Sequence, residues 1–404
     1  MKLALRFLLS SVFAISILLP AISHAQMNHG KAKAAKAELG TSAAFDLQGK
    51  LWIASKESAG EGNTGYVVLQ SSTDMGKTWS QPLRVQSQAE AISADGENRP
   101  KLAFGPKGEI YIAYTKPLAK PYTGEIRFVR SLDGGASFST PVTVHTNREE
   151  ITHRFESMIV DRSGRIFIAW IDKRDGEAAK ARKEKYTGAA IYYSVSTDQG
   201  ASFKADYKLA EHSCECCRIA MALRPDGKPV AMWRHVFEPN FRDHALSELN
   251  SDGSQAALMR TSFDEWRIDA CPHHGPSIAF DNEGRRHQTW FNVKADEGGV
   301  FYAATNAQGE LGKPLKLGNA QAEHADVVVH GKTIALAWKQ FDGNASTILG
   351  KISLNEGSTW EDLRIAETQG NSDQPHLLST PKGPALVWCT QNEGVRIIPL
   401  TGTK

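Results

Sequence analysis

The chain has 404 residues, 41% hydrophobic and 23% charged, a balance that excludes wholesale disorder, collagen and a polytopic membrane protein. Lys+Arg 47 against Asp+Glu 45 leaves a net charge of +2, too small an excess to neutralise a phosphate backbone, so nucleic acid is set aside as a partner. With 34 Gly, 17 Pro and nine Trp, a turn-rich, aromatic-rich β architecture is favoured over a helical one. The first residues read as an address. Lys2 and Arg6 precede an apolar stretch, Pro20 ends it, and Ser23-His24-Ala25 carries the small residues that signal peptidase reads. Residues 1–25 are therefore expected to be a signal peptide cleaved after Ala25, directing the chain to the periplasm or outside the cell. Gln26 stands where a lipoprotein would have Cys. No later segment reaches the roughly 18 consecutive apolar residues of a spanning helix. Residues 26–41 form a flexible arm ahead of the single domain expected over 42–404.

Along that domain a unit recurs, made of a short apolar strand, a polar turn with Gly, and a second strand running into an aromatic. AAFDLQGKLWIA, KLAFGPKGEIYIAY, SMIVDRSGRIFIAW, AMALRPDGKPVAMW, SIAFDNEGRRHQTW, DVVVHGKTIALAW and HLLSTPKGPALVW are its copies. Their turn glycines are Gly49, Gly108, Gly164, Gly227, Gly284, Gly331 and Gly383. The spacing leaves room for four short strands per unit, and one such sheet buries neither face alone. Stacking the sheets around an axis solves that problem, so the expectation is an all-β propeller of four-stranded antiparallel blades, seven rather than six. Residues 116–123 and 173–185 read as loops between second and third strands. Pro100, Pro276 and Pro375, each eight residues before a turn glycine, fix the approach to an inner strand.

A second element rides on the same period. Ser72 to Trp79, Ser131 to Phe138 and Ser196 to Phe203 share S-x-D-x-G-x-x-W/F, with a degenerate copy from Ser353 to Trp360. Ser and the aspartates Asp74, Asp133 and Asp198 can satisfy turn donors, Gly can take positive φ, and the aromatic packs the turn onto its sheet. These turns resemble the Asp boxes, or BNR repeats, of the sialidase-like propeller superfamily, over most of residues 42–399. The resemblance implies that they join third and fourth strands, and it specifies architecture rather than a reaction.

The same resemblance raises glycoside hydrolysis. Sialidases hold an acidic sugar's carboxylate with three arginines, and Arg99, Arg154 and Arg218 take similar positions at the starts of units two to four. The rest of that machinery is missing: no F-R-I-P segment precedes unit one, and no Tyr follows Tyr302. The bland reading of the three arginines is pairing with carboxylates that hold blades together.

Cysteine and histidine placement is the more unusual signal. Cys214, Cys216 and Cys217 lie in HSCECCR and Cys271 in DACPHHGP, with Cys214 and Cys271 each 13 residues before a turn glycine. In that phase Cys216 and Cys217 align with His273 and His274, His153 falls in step, and His324 and His376 precede the first strands of units six and seven. Residues before innermost strands would ring a channel mouth, where thiolate and imidazole suit a copper or zinc ion. The structural alternative is one or two disulfides stapling units four and five in an exported chain. Cys389, beside Trp388, reads as a buried apolar thiol. CxCC followed by C-P-x-x-G-P also resembles an exported branch of sialidase-like propellers, a likeness that supplies no substrate. The leading expectation is metal handling, or redox chemistry with copper, through Cys216, Cys217, His273 and His274, with Cys214, Cys271, His153, His324 and His376 as further ligands. An exo-sialidase-like hydrolase of an acidic sugar and a non-catalytic protein-binding scaffold are the other two readings.

Overall fold

The computed structural model describes residues 38–401 except 61, 271 and 295–297. The signal peptide, most of the arm and Cys271 therefore lie outside the described residues. From Ser42 to Pro399 the chain forms seven antiparallel sheets in strict sequence order, the blades of a β-propeller. Six blades hold at least four strands, and the last holds three among the described residues: His376–Thr380, Gly383–Thr390 and Gly394–Pro399. Each first strand lies against the first strand of the next blade, and that of blade 7 lies against Ser42–Phe45 of blade 1, so the inner strands close a ring.

Local chemistry explains the regularity. All seven turn glycines have positive φ, from 57° at Gly331 to 115° at Gly383, a region that penalises any Cβ. In several copies an Asp begins the turn. Asp161 Oδ1, for example, accepts from Ser163 N at 2.9 Å and Arg165 N at 3.0 Å. The S-x-D-x-G turns repeat one hydrogen-bond pattern. Gly76 N donates to Ser72 Oγ at 2.8 Å and Thr78 N to Asp74 Oδ1 at 2.9 Å. The same pair of bonds recurs around Asp133, Asp198 and Asn355. These four turns do join third and fourth strands.

The apolar core is divided into clusters between neighbouring blades, one for each of the seven interfaces. Phe138, Phe203 and Trp360 each sit between their own blade and the preceding one, and Trp79 joins Ile397 and Val387 of blade 7 to Leu51 and Ile53 of blade 1. Burying one such side chain contributes about 1.5–3 kcal/mol. Ring closure adds polar ties: Thr41 N donates to Asp373 Oδ2 at 3.1 Å, and Arg99 reaches Asp373 at 3.2 Å and Thr41 O at 3.0 Å. The charged stretch 173–185, expected as a loop, contains a helix over Arg174–Ala181. Asp172 Oδ1 accepts from Arg174 N at 2.9 Å, and Asp175 and Glu177 in its first turn complement the helix dipole.

Candidate functional site

Gly96–Asn98, a turn of 3-10 helix ahead of blade 2, places Glu97 at the inner mouth of the ring. Arg218 Nε, leading into blade 4, stands 3.8 Å from one of its carboxylate oxygens, and His324 Nδ1 of blade 6 stands 3.6 Å from the other. Side chains introduced by blades 2, 4 and 6 converge only near the axis of a seven-bladed ring, so Glu97 marks that axis. Its side chain is buried, yet neither oxygen accepts a hydrogen bond. Burial pushes this carboxyl upward, but Arg218, His324 and Arg99 outweigh burial and hold it at about 2, so Glu97 is an anion.

Around this anion several other buried polar atoms lack partners: His274 Nδ1, His324 Nδ1, Asn98 Oδ1 and Gln374 Oε1. His274 and His324 lie with ring centroids 4.3 Å apart. Together with Glu323 they offer ligand atoms within 4.8 Å of one another. A register shift between Glu323 and Asp326 in the first strand of blade 6, Ala322–His330, leaves His324 at φ 51°, a costly conformation for a non-glycine residue. Burial, with His324 and Arg234 nearby, lowers the imidazolium pKa of His274 to about 2, so its ring is neutral and has a lone pair to give.

A second cluster lies on the crossover from the outer strand of blade 3 to the inner strand of blade 4. Cys214, Cys216 and Cys217 are buried at 1%, 5% and 2% exposure in the apolar cluster between those blades. Cys214 and Cys216 sulfurs are 3.9 Å apart, Cys217 and Cys214 sulfurs 3.3 Å, and all three fall within 4.8 Å. Three sulfurs about 2.3 Å from one ion stand roughly 3.8–4.0 Å apart, which the Cys214–Cys216 pair matches, while Cys217 would have to move outward by about half an ångström to share the ion. Among the described residues Cys214, Cys216, Cys217 and Cys389 form no disulfide with one another. Hydrogen bonds from Cys216 and Cys217, with help from the Arg234 guanidinium against burial, hold the Cys214 thiol well below its usual range. Cys217 moves upward, because its proton serves the Cys214 sulfur. Arg234 is 1% exposed and adjoins both neighbourhoods: its carbonyl accepts from Cys214 N at 2.9 Å, and its guanidinium donates to His274 O at 3.0 Å and Phe291 O at 2.7 Å.

The single mixed Cys/His set expected from sequence phase thus divides into a sulfur cluster and a nitrogen–oxygen cluster. His273 is exposed beside the latter, with φ 57°. His153 belongs to neither: it is fully buried, stacks on His145 at 3.9 Å, and stands 3.6 Å from Asp172. His376 donates to Asp326 at 3.0 Å. The three arginines are placed largely in a structural role. Arg99 holds Asp373 and Thr41, and Arg218 Nε donates to Pro276 O at 2.9 Å with a second contact to Ala325 O at 3.2 Å. Arg154 lies over the Phe155 ring at 5.0 Å and keeps an unpartnered Nε. Sequence reasoning missed Glu97, Glu323, Gln374 and Arg234. Two of them adjoin residues it had singled out, Glu323 beside His324 and Gln374 next to the inner-strand Pro375, and that adjacency was the available signal.

No protein-family model and no curated protein matches the chain. Among solved structures it is similar to a protein of unknown function from Dyadobacter fermentans, at 16% identity and TM-score 0.52, covering 78% of this chain and 95% of that one. An ulvan lyase of polysaccharide lyase family PL25, bound to -[GlcA(1-4)Rha3S]-, superposes with TM-score 0.55 at 11% identity over 90% and 92% of the two chains. The GH93 α-L-arabinofuranosidase of Fusarium graminearum with arabinobiose gives 0.51 at 10% identity over 74% and 87%. At such identities the likeness is one of fold, to seven-bladed propellers.

Proposed function

We propose that this chain is an exported β-propeller that binds a transition metal, copper first and zinc second, in metal handling or copper redox chemistry. The observation that carries the reading is the convergence of three buried sulfurs near the buried Arg234 guanidinium, which forms no ion pair within 4 Å among the described residues. Cys214, Cys216 and Cys217 would hold the ion as thiolates, and a soft three-sulfur set suits Cu(I) best. The neutral His274 with His324 and Glu323 offers a harder set at the axis, suited to zinc or Cu(II). The test is metal content and thiol count on one sample of mature protein purified without a histidine tag. The expected result is about one equivalent of copper or zinc at the sulfur site, lost in C214S/C216S/C217S and retained in H274A/H324A. Reduced protein that takes up no metal after copper loading refutes the proposal.

A glycan-directed role is the second reading. Its support is the polysaccharide lyase and arabinofuranosidase among the similar folds, together with the unpartnered Nε of Arg154. Turnover of an acidic oligosaccharide or sialoside, lost in R154A and unaffected by chelators, would favour it over metal handling.

A further inference from the structure

The interface between blades 4 and 5 departs at two places from the four interfaces that carry an S-x-D-x-G turn with its aromatic wedge. In the boxed blades the residue after the aromatic donates across the turn: Ser80 N to Ser71 O at 2.8 Å, Ser139 N to Arg130 O at 2.9 Å and Lys204 N to Val195 O at 3.0 Å. Blade 5 makes the same closure one residue sooner, Gly312 N to Ala304 O at 2.9 Å. Leu311 therefore stands where Trp79, Phe138 and Phe203 fill the gap to the preceding blade. Leucine is smaller than Trp or Phe, and Leu311 lines an open cleft at this place.

The second break lies in the strand beneath. Pairing with the first strand sets Arg286 opposite Phe280, as Leu51 is opposite Phe45, Ile110 opposite Phe104 and Ile166 opposite Val160. Where those blades bury Leu or Ile against the wedge, blade 5 buries a guanidinium. Arg286 is 6% exposed and forms no ion pair within 4 Å among the described residues. Its Nε donates to Gln288 Oε1 at 2.8 Å, and Gln288 Nε2 donates to Thr261 O of blade 4 at 2.7 Å, so the group is held in place from behind. Among the described residues its terminal nitrogens have no hydrogen-bond partner. Burial and the nearby Arg224 weaken its hold on the proton, yet the pKa of about 10 keeps it cationic at neutral pH.

These two changes leave a cleft of about 520 Å³ lined by Arg286, Leu311, Phe263, Met259 and Trp290. Asp264 and Glu310 place carboxylates in its wall, and neither pairs with Arg286 within 4 Å. Arg260 is paired with Asp243, Asp264 accepts from Trp290 Nε1 at 2.7 Å, and Glu310 accepts from Asn306 Nδ2 at 2.8 Å. From the vacant wedge and the uncompensated cation we infer that this cleft binds a small aromatic carboxylate. The ring takes the place that Trp or Phe fills elsewhere, and the carboxylate pairs with Arg286 in a charge-assisted fork.

Calorimetric titration of the mature protein with benzoate, indole-3-acetate and the neutral benzamide tests the assignment. Benzoate or indole-3-acetate should bind at least about tenfold more tightly than benzamide, the margin of one charge-assisted pair. R286I, which restores the residue type of the other blades, should erase that preference. L311W, which restores the wedge, should abolish binding of all three while leaving the circular dichroism spectrum unchanged. Equal affinity for carboxylate and amide, no binding of either carboxylate at about 10 mM, or undiminished binding by L311W would each overturn the inference. L311W serves as the arbiter should R286I fail to fold.

Discussion

Replacing Asp326 with alanine should loosen three blades at once. Its carboxylate, in the first strand of blade 6, accepts from Ser277 Oγ of blade 5 and, at 3.0 and 2.8 Å, from His376 Nδ1 and Leu377 N of blade 7. Alanine leaves Leu377 N and the Ser277 hydroxyl buried without this acceptor, while the half-exposed His376 ring can turn to water. Two orphaned buried groups at about 1–3 kcal/mol each give a loss of roughly 2–6 kcal/mol. Asparagine should cost less, about 1–2 kcal/mol, because its oxygen can face Leu377 N while its amide donates to a rotated Ser277 hydroxyl, so that mainly the charge is lost. Urea unfolding followed by tryptophan fluorescence, with midpoint and slope fitted together, reads both values. The pH dependence gives a further check. Burial raises the Asp326 carboxyl, but His376, Arg218 and Ser277 outweigh it and hold the group well below the usual carboxylate range. Its contribution is therefore complete above about pH 4 and is lost as pH falls toward the folded value, so wild type and D326N should converge in acid. A D326A loss under about 1 kcal/mol, or an asparagine variant as damaged as alanine, would refute this account of how the blades are tied.

Three further outcomes follow from the same geometry. Gly200→Ala should cost more than Gly309→Ala although both glycines sit near φ 80°: a Cβ at 200 meets Phe128 at 2.4 Å, whereas one at 309 meets nothing within 4 Å. About 2–4 kcal/mol against about 1 is expected from thermal or urea denaturation, and equal effects would discount the packing argument. Trp360→Ala, removing the wedge against Tyr302 at 5.3 Å, should cost about 2–3 kcal/mol, with a shift under 0.5 kcal/mol counting against the interblade clusters as the main source of stability. Acid should destabilise the fold before carboxylates titrate. His145 donates from Nδ1 to Asn147 O at 2.6 Å and accepts from Ile126 N at 3.2 Å through Nε2, which requires the neutral ring. Burial lowers its pKa to about 3 and that of His235 to about 4. Unfolded histidines protonate near pH 6.5, so the stability these groups contribute is present above that pH and should fall by up to about 1.4 kcal/mol per group per pH unit below it. Urea midpoints that stay level between pH 7 and 4.5 would contradict the prediction.

The sequence by itself determined the features that depend on neighbours a few residues away. A positive-φ glycine, an Asp accepting from residues two and four ahead, and a Ser capping a Gly four residues on are local events, so their recurrence revealed seven blades and the place of each turn. The aromatic at the end of each box was legible for the same reason. Its absence in blade 5 is masked in the sequence, because SIAFDNEGRRHQTW still supplies the repeat's glycine and tryptophan. That Arg286 and Gln288 break the apolar alternation matters only once the cleft above them is seen. The metal candidates show the other side. Common phase placed Cys216 with His273 and Cys217 with His274, yet equivalent positions in different blades are related by rotation about the axis and need not touch. Only the packed ring decided that the three cysteines turn into the apolar interface of blades 3 and 4, that His274 meets His324 and Glu323, and that Glu97 reaches partners from blades 4 and 6. Those contacts join residues far apart in sequence, and their formation depends on how the blades close around one axis, which no local spacing encodes.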